Sequence, residues 1–497
     1  MSKFVIGGKN EGRIKGFVEY DSVEYPFSYE DWILDIYPQN KDIWRNANAE
    51  LLKRIGGVVE TGKLINQICL VGKTSTGRDI RFTVSEQYSN ENGFLSFNVY
   101  SVYIYESENS KVCSEIVNGK KQFIRKTNSN KIRGFIVKGR EIDYYYNPSN
   151  AFCSIISQNE DGKIDFNLSL SSKKEEDCGT IVLENTEFKI YFRSVATAHG
   201  AVPTPVTSHS ELIIESQLES DLNDIEVIYY AVRDCLAYLC RRLNVNFDEI
   251  EVFDFSSEGQ RRVFGRYYLW LDIDMTEKNV QASKRIIDHT FIGEKFNELL
   301  QQFIDGKMYI NNLPDTVTRS SLYDPAKIIF NFVAFEREYA NLYPEAATRS
   351  EDYLEVKNCV LECINVLIEK LTGKKKKYAR GFHRTIQKSE NSFGARLKQA
   401  INDYKSALTP FLIWNYGKDY DESIESICDR MNQMRNDSAH GNIDVKFSVE
   451  HFSDFAILEC LFYAMRLKTI GLNDLSIQKA ICKLMNYNIY IPDAEDD

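Results

Sequence analysis

The apolar residues change their period once along this chain, and that switch limits the possible folds more than any motif does. Up to about residue 200, short runs alternate every second residue: Asp79–Val84, Phe94–Tyr105, Phe135–Val137 and Glu187–Phe192. They are rich in aromatic and β-branched side chains and punctuated by Gly, Asn and Ser, which predicts strands of a sandwich or barrel. From about residue 320 the spacing becomes three and four. Asp324-Pro325 offers an N-cap and a first-turn proline, and Ile328, Ile329, Phe332, Phe335 and Tyr339 then recur until Pro344. Further helices are predicted near 352–371, 391–408 (stopping before Pro410), 422–440, 449–470 and 474–486. Short links between such helices imply an up-and-down bundle.

Between these halves, Pro203 and Pro205 suggest a connector. Helical spacing of Leu218, Leu222, Ile225, Ile228, Tyr229 and Leu236 predicts a helix over 211–243, with strands at 250–270 and a helix at 285–305. The expected class is α+β. A β-rich domain spans 1–205, a mixed α/β continuation 206–315 and an all-α bundle 316–497.

At 497 residues the chain has room for about two to four domains. Its net charge of −11 argues against a uniformly basic nucleic-acid binder, so any such contact needs a local patch. Met1–Val5 lacks a secretory apolar core, and no apolar run reaches about 18 residues, so no membrane span is expected. The 11 Cys follow no framework spacing and are expected as reduced thiols of a cytoplasmic protein.

Three candidate sites fail on their chemistry. Val71-Gly72-Lys73-Thr74 lacks the glycine a phosphate loop needs five positions earlier, where Gln67 stands, so a hairpin is expected. Cys359 and Cys363 are one helical turn apart, but no further ligands complete a zinc set, and buried thiols are expected. His199 and His209 flank the proline connector without further ligands. No metal and no cofactor are expected.

The surviving constellation is Arg435-Asn436-Asp437-Ser438-Ala439-His440-Gly441. As a bare Arg-to-His spacing it is weak, since Arg193 and His199 make a second match. Its context is more specific. Ile424, Cys428, Met431, Arg435 and Ser438 are spaced four, three, four, three, so Arg435 continues the inward stripe of a helix. A guanidinium there needs an anion. Asn436 and His440 share a face, and Gly441 suits the cap after a helix end that favours a protonated imidazole. Arginine stabilises charge on a phosphate and histidine exchanges protons at cellular pH, as RNA cleavage by its own 2′-hydroxyl requires. One such pair is half a site, and two copies about a two-fold axis would complete it.

This motif late in a helical bundle resembles the HEPN ribonuclease superfamily. With the β-rich first half, the chain resembles the ApeA type of antiphage defence protein. The resemblance implies a metal-independent endoribonuclease, working as a homodimer or higher oligomer and leaving 2′,3′-cyclic phosphate and 5′-hydroxyl ends. It implies abortive infection through cleavage of RNA, tRNA or another structured RNA being the expected substrate. Arg435 and His440 then take the catalytic positions and Asn436 the polar position beside them. Glu336, after Phe335 in the first bundle helix, takes a supporting acidic position that could orient Arg435. The alternatives are a non-catalytic dimerisation or interaction bundle, and an antitoxin-like module serving a partner enzyme.

Residues 370–405 hold eleven Lys or Arg against Glu390 and Asp403, a local charge of +9 in a chain otherwise at −20. Lys374, Lys375, Lys376, Lys377, Arg380 and Arg384 are the candidate RNA-binding residues, and Tyr378, Phe382 and His383 the candidate base-stacking ones. An RNase must be conditional in its host. The residues before about 310 are therefore expected to receive a phage-derived activator.

Overall fold

The computed structural model describes residues 13–38, 67–91, 94–105, 111–117, 120–126, 131–158, 164–170, 175–198, 206–247, 249–256, 258–269, 285–322, 325–344, 351–387, 392–439 and 447–492. The class is α+β: strands extend to about residue 270 and helices follow. Two compact units emerge, one of residues 1–236 and 244–276, the other of residues 237–243 and 277–497.

In the first unit, β1 (Ile14–Tyr20), β2 (Val23–Glu30), β3 (Ile33–Ile36), β4 (Gln67–Thr74), β5 (Asp79–Glu91) and β6 (Phe94–Tyr105) close into a six-stranded antiparallel barrel. The order is β6-β3-β2-β1-β4-β5, with β5 returning to β6. Closure leaves no open edge among these strands. Alternation sends Val18, Leu34, Phe82, Leu95 and Phe97 into a fully buried core. At the β1–β4 crossing, a Cβ on Gly16 would overlap the carbonyl oxygen of Lys73, and one on Gly72 that of Phe17. Gly72 thus serves strand packing, and Val71–Thr74 is the end of β4 leading into a hairpin with β5, as expected.

Next come the ribbon of β7 (Lys111–Val117) and β8 (Lys120–Lys126), β9 (Lys131–Lys138) and α1 (Arg140–Tyr145). The ribbon of β10 (Phe152–Gln158) and β11 (Ile164–Leu170) follows, then β12 (Glu176–Leu183), β13 (Thr186–Ala198), β14 (Val206–Asp221), α2 (Leu222–Cys240), β15 (Glu249–Phe255) and β16 (Arg261–Leu269). A second sheet runs β12-β13-β14-β9-β15-β16 and joins the barrel where β16 pairs with β6. The expected boundary at 205/206 falls inside the β13–β14 hairpin, because Ala198 pairs with Val206 and the ladder continues to Phe188–Ser216. Residues 206–315 are therefore shared between two units rather than forming a continuation of the first. Residues 211–221, expected to be helical, are strand. Pairing with β13 and β9 on either side overrides the helical spacing, and Leu218 is left 68% exposed.

The second unit contains α3 (His289–Ile292), α4 (Phe296–Ile304), α5 (Pro325–Leu342), α6 (Glu351–Lys370), α7 (Gly373–Gln387), α8 (Phe393–Asp403), α9 (Lys405–Tyr416), α10 (Ser423–Ala439), α11 (Val449–Thr469) and α12 (Asp474–Met485). Helix α11 is buried almost all round from Asp454 to Leu467. Ring contacts lock α5, α8 and α11 together: Phe332–Phe393 at 5.2 Å and Phe335–Phe393 at 5.3 Å are edge-on, and Phe332–Phe455 at 5.7 Å is tilted. Inside this core Arg466 is paired with Glu338, both almost fully buried.

One helix expectation is corrected and one helix is added. Helix does not stop before Pro410: the chain breaks at Tyr404, and α9 carries Pro410 inside it. The missing Pro410 N–H leaves the Ser406 carbonyl without its helical donor. Gln478 Nε2 of α12 donates to that oxygen at 2.9 Å. The basic stretch after Gly373 is itself a helix, α7, forming a hairpin with α6 through a turn in which Gly373 has φ +60°. Cys359 and Cys363, expected to be buried, are exposed on α6. Among the described residues no helix is long and apolar enough to cross a membrane.

Candidate functional site

Helix α10 positions the motif. Ile424, Ile427, Cys428, Met431 and Met434 face the core, and the stripe reaches the bundle edge at Arg435, whose side chain is 37% exposed. The edge is where a guanidinium can meet both a protein carboxylate and an incoming anion. The carboxylate is Glu336 of α5: its Oε1 accepts from Arg435 Nη2 at 3.3 Å. The two are 99 residues apart in sequence. Asn436, the next residue on α10, is exposed, and its Oδ1 lies 3.5 Å from Arg435 Nη1. Helix α10 ends at Ala439. His440 and Gly441 lie outside the described residues.

The same Glu336 oxygen accepts from a second guanidinium, Arg396 Nη2 of α8, at 2.7 Å. Arg396 lies over the Tyr339 ring at 5.9 Å, and Tyr339 donates its hydroxyl to Gln399 at 2.7 Å. The Arg396 Nε is buried and has no partner among the described residues. Close packing of α8 on α10 sets this geometry. The Gly394 N–H donates to Asn432 Oδ1 at 3.2 Å, and a Cβ at Gly394 would press to 3.1 Å from the Cys428 carbonyl oxygen. Sequence reading counted Arg396 only as one of many basic charges. The missed signal was its place beside the α8 stripe of Phe393, Leu397, Ala400 and Ile401, the same signal that singled out Arg435.

One carboxylate between two guanidiniums leaves a net positive charge at the bundle edge. A centre of this composition has the chemistry to bind an anion and to stabilise charge developing on it. Two turns earlier on α10, burial pushes the Cys428 thiol up to about 12, which disfavours thiol chemistry there.

The candidate RNA-binding residues all lie on α7. Lys374, Lys375, Lys377, Arg380 and Arg384 are exposed and Lys376 is half-buried. Tyr378 and Phe382, one turn apart on this helix, are 67% and 65% exposed, a wasteful arrangement for core residues and a suitable one for stacking. His383 is half-buried.

The other candidates have structural partners. Arg193, the second Arg-to-His match, is held by Glu211 at 2.5 Å and Glu175 at 3.2 Å, while His199 lies outside the described residues. His209 Nε2 is 3.0 Å from Glu211 Oε1. Among the described residues no group of three or more His, Cys, Asp or Glu side chains is placed to hold a metal ion. Comparison with protein-family models, curated proteins and solved structures finds no match to this chain.

Proposed function

We propose that the protein is a metal-independent endoribonuclease of bacterial antiphage defence, acting in the cytoplasm as a homodimer or higher homo-oligomer. The observation that carries this reading is the half-exposed Arg435 guanidinium, braced by Glu336 and placed one turn before the helix end that His440 follows.

In this reading Arg435 contacts the scissile phosphate and Asn436 orients the site. His440 takes the 2′-hydroxyl proton or delivers a proton to the departing 5′-oxygen. The second copy supplies the complementary transfer. The 2′-oxygen bonds to phosphorus as the P–O5′ bond breaks, leaving a 2′,3′-cyclic phosphate and a 5′-hydroxyl. An imidazole in such a role contributes roughly 10²–10⁴ in rate. Helix α7 draws in the RNA, tRNA or another structured RNA being the substrate class. The β-rich unit receives the phage-derived activator.

The test is cleavage of total bacterial RNA in EDTA by wild type and His440→Ala, with and without lysate from phage-infected cells, followed by mapping of the ends. Cleavage that needs His440 and leaves cyclic phosphates supports the reading. Identical RNA profiles throughout would favour a non-catalytic interaction bundle.

A further inference from the structure

Helix α6 carries two apolar stripes, and the α6–α7 hairpin covers only one. Tyr353, Leu354, Lys357, Leu361, Ile364 and Ile368 are half-buried and form the side toward α7. The other stripe, about 130° around the helix at 100° per residue, is open. It holds Val356 (64% exposed), Val360 (40%), Val366 (49%) and Leu367 (51%), with the exposed Cys359 and Cys363 between them.

The open stripe has a heptad repeat. Asp352, Val356, Cys359, Cys363, Val366 and Lys370 are spaced four, three, four, three, four, which is the a/d seam of a coiled coil. The seam is complementary to its own reverse. Laid antiparallel on a second copy about an axis beside residue 361, Asp352 meets Lys370, Val356 meets Val366, and Cys359 meets Cys363. The same contacts then repeat on the other side of the axis. All of these layers share one axis, and both charged ends find an opposite charge. That is the isologous pattern of a two-fold interface.

We propose that the open α6 stripe is a docking surface for a second copy of this chain, paired antiparallel through α6. The pairing deepens the dimer of the proposed function and rests on that reading only for its biological purpose, since association is read without any cleavage. It has a built-in cost. Glu355, Glu362 and Glu369 recur every seven residues along one flank, and Glu362 faces its own copy across the axis. Salt screens that repulsion and the Asp352–Lys370 attraction alike, so association through the apolar seam should change little with salt, unlike a dimer bridged by RNA, which salt disrupts.

The experiment is sedimentation of the full-length, RNA-free protein at several salt concentrations, with circular dichroism as a folding control. Wild type is expected to dimerise. Val356→Glu and Val366→Glu should each weaken association at least tenfold while leaving helicity unchanged. Asp352→Lys and Lys370→Asp should each weaken it several-fold, and the double exchange should restore it. Effects on helix stability alone would make the double variant worse. Alkylation of Cys359 and Cys363 by iodoacetamide should slow as wild type is concentrated, and should not slow in Val366→Glu. Monomeric wild type, or a dimer indifferent to all four substitutions, overturns the proposal. A dimer that obeys these expectations but cleaves no RNA keeps the α6 pairing and removes the ribonuclease.

Discussion

Glu336 Oε1 lies 3.3 Å from Arg435 Nη2 and 2.7 Å from Arg396 Nη2, so Arg435 shares its only carboxylate contact among the described residues with a closer competitor. The shorter bond belongs to the arginine outside the motif. In the proposed reaction this division has a use: Arg396 keeps Glu336 neutralised while Arg435 leaves it for the phosphate. Arg396→Ala should then slow cleavage about tenfold, a change of about 1.4 kcal/mol, because Glu336 would hold Arg435 alone. Adding Glu336→Gln should recover most of the loss. Single-turnover kinetics on the two variants decides it, and an unrecovered double variant would refute the neutralising role.

Arg435→Lys tests the guanidinium itself. Lysine keeps the charge but loses the planar fork that holds two phosphate oxygens. Cleavage should fall by about a hundredfold or more, with RNA affinity changed far less. A lysine variant as fast as wild type would mean that Arg435 supplies charge alone.

Helix α7 should control salt dependence rather than chemistry. Replacing Lys374, Lys375 and Lys377 by Ala should flatten the slope of log affinity against log salt, by about 0.7 for each lost contact to single-stranded RNA. Tyr378→Ala and Phe382→Ala should each cost about 1–3 kcal/mol of binding without changing that slope. Filter binding from 50 to 300 mM salt separates the two effects, and unchanged slopes would return α7 to a merely solvated role.

Arg466 and Glu338 are paired in the bundle core. Burial raises the Glu338 carboxyl above its ordinary range, and the Arg466 charge opposes that rise. Arg466→Ala should destabilise the helical unit by about 3–5 kcal/mol by leaving a buried carboxylate unpaired. Replacing both residues by apolar ones of similar volume should cost much less. Urea unfolding of the single and double variants measures the difference.

In the β-rich unit, burial alone would raise the Glu211 carboxyl. The hydrogen bond from His209 and the charges of Arg193 and Lys138 outweigh it and hold Glu211 at about 2. A depressed folded-state value means the stabilisation is complete above the ordinary carboxylate range near 4.5 and is lost as pH falls toward 2. Its size is up to about 3 kcal/mol. Glu211→Gln should flatten the stability profile between pH 2 and 4.5 as followed by denaturant titration. A wild-type slope retained in the variant would place the acid sensitivity elsewhere.

The class, the switch from strands to helices and the ends of α5, α6, α10, α11 and α12 follow from local pattern, because apolar period, caps and the stop residues that follow each helix are local properties. Arg435 was legible for the same reason, as a charge continuing an apolar stripe. Elements whose conformation depends on distant neighbours were not legible. Residues 211–221 have helical spacing but are strand, because β13 and β9 offer hydrogen bonds on both sides. Pro410 should end a helix but sits inside α9, where Gln478 takes over the orphaned carbonyl. Cys359 and Cys363 lie on an apolar stripe that the sequence marks for burial, yet this chain by itself leaves it open.

By itself the sequence determined which residue types could do the chemistry and which helices would carry them, since periodicity and residue type are local properties. Only the tertiary structure decided which of the many arginines shares a carboxylate with Arg435. That choice depends on α5, α8 and α10 converging, with Gly394 admitting the close approach that lets Arg396 reach Glu336. A contact spanning 60 residues, like the one spanning 99, leaves no periodic trace in the chain.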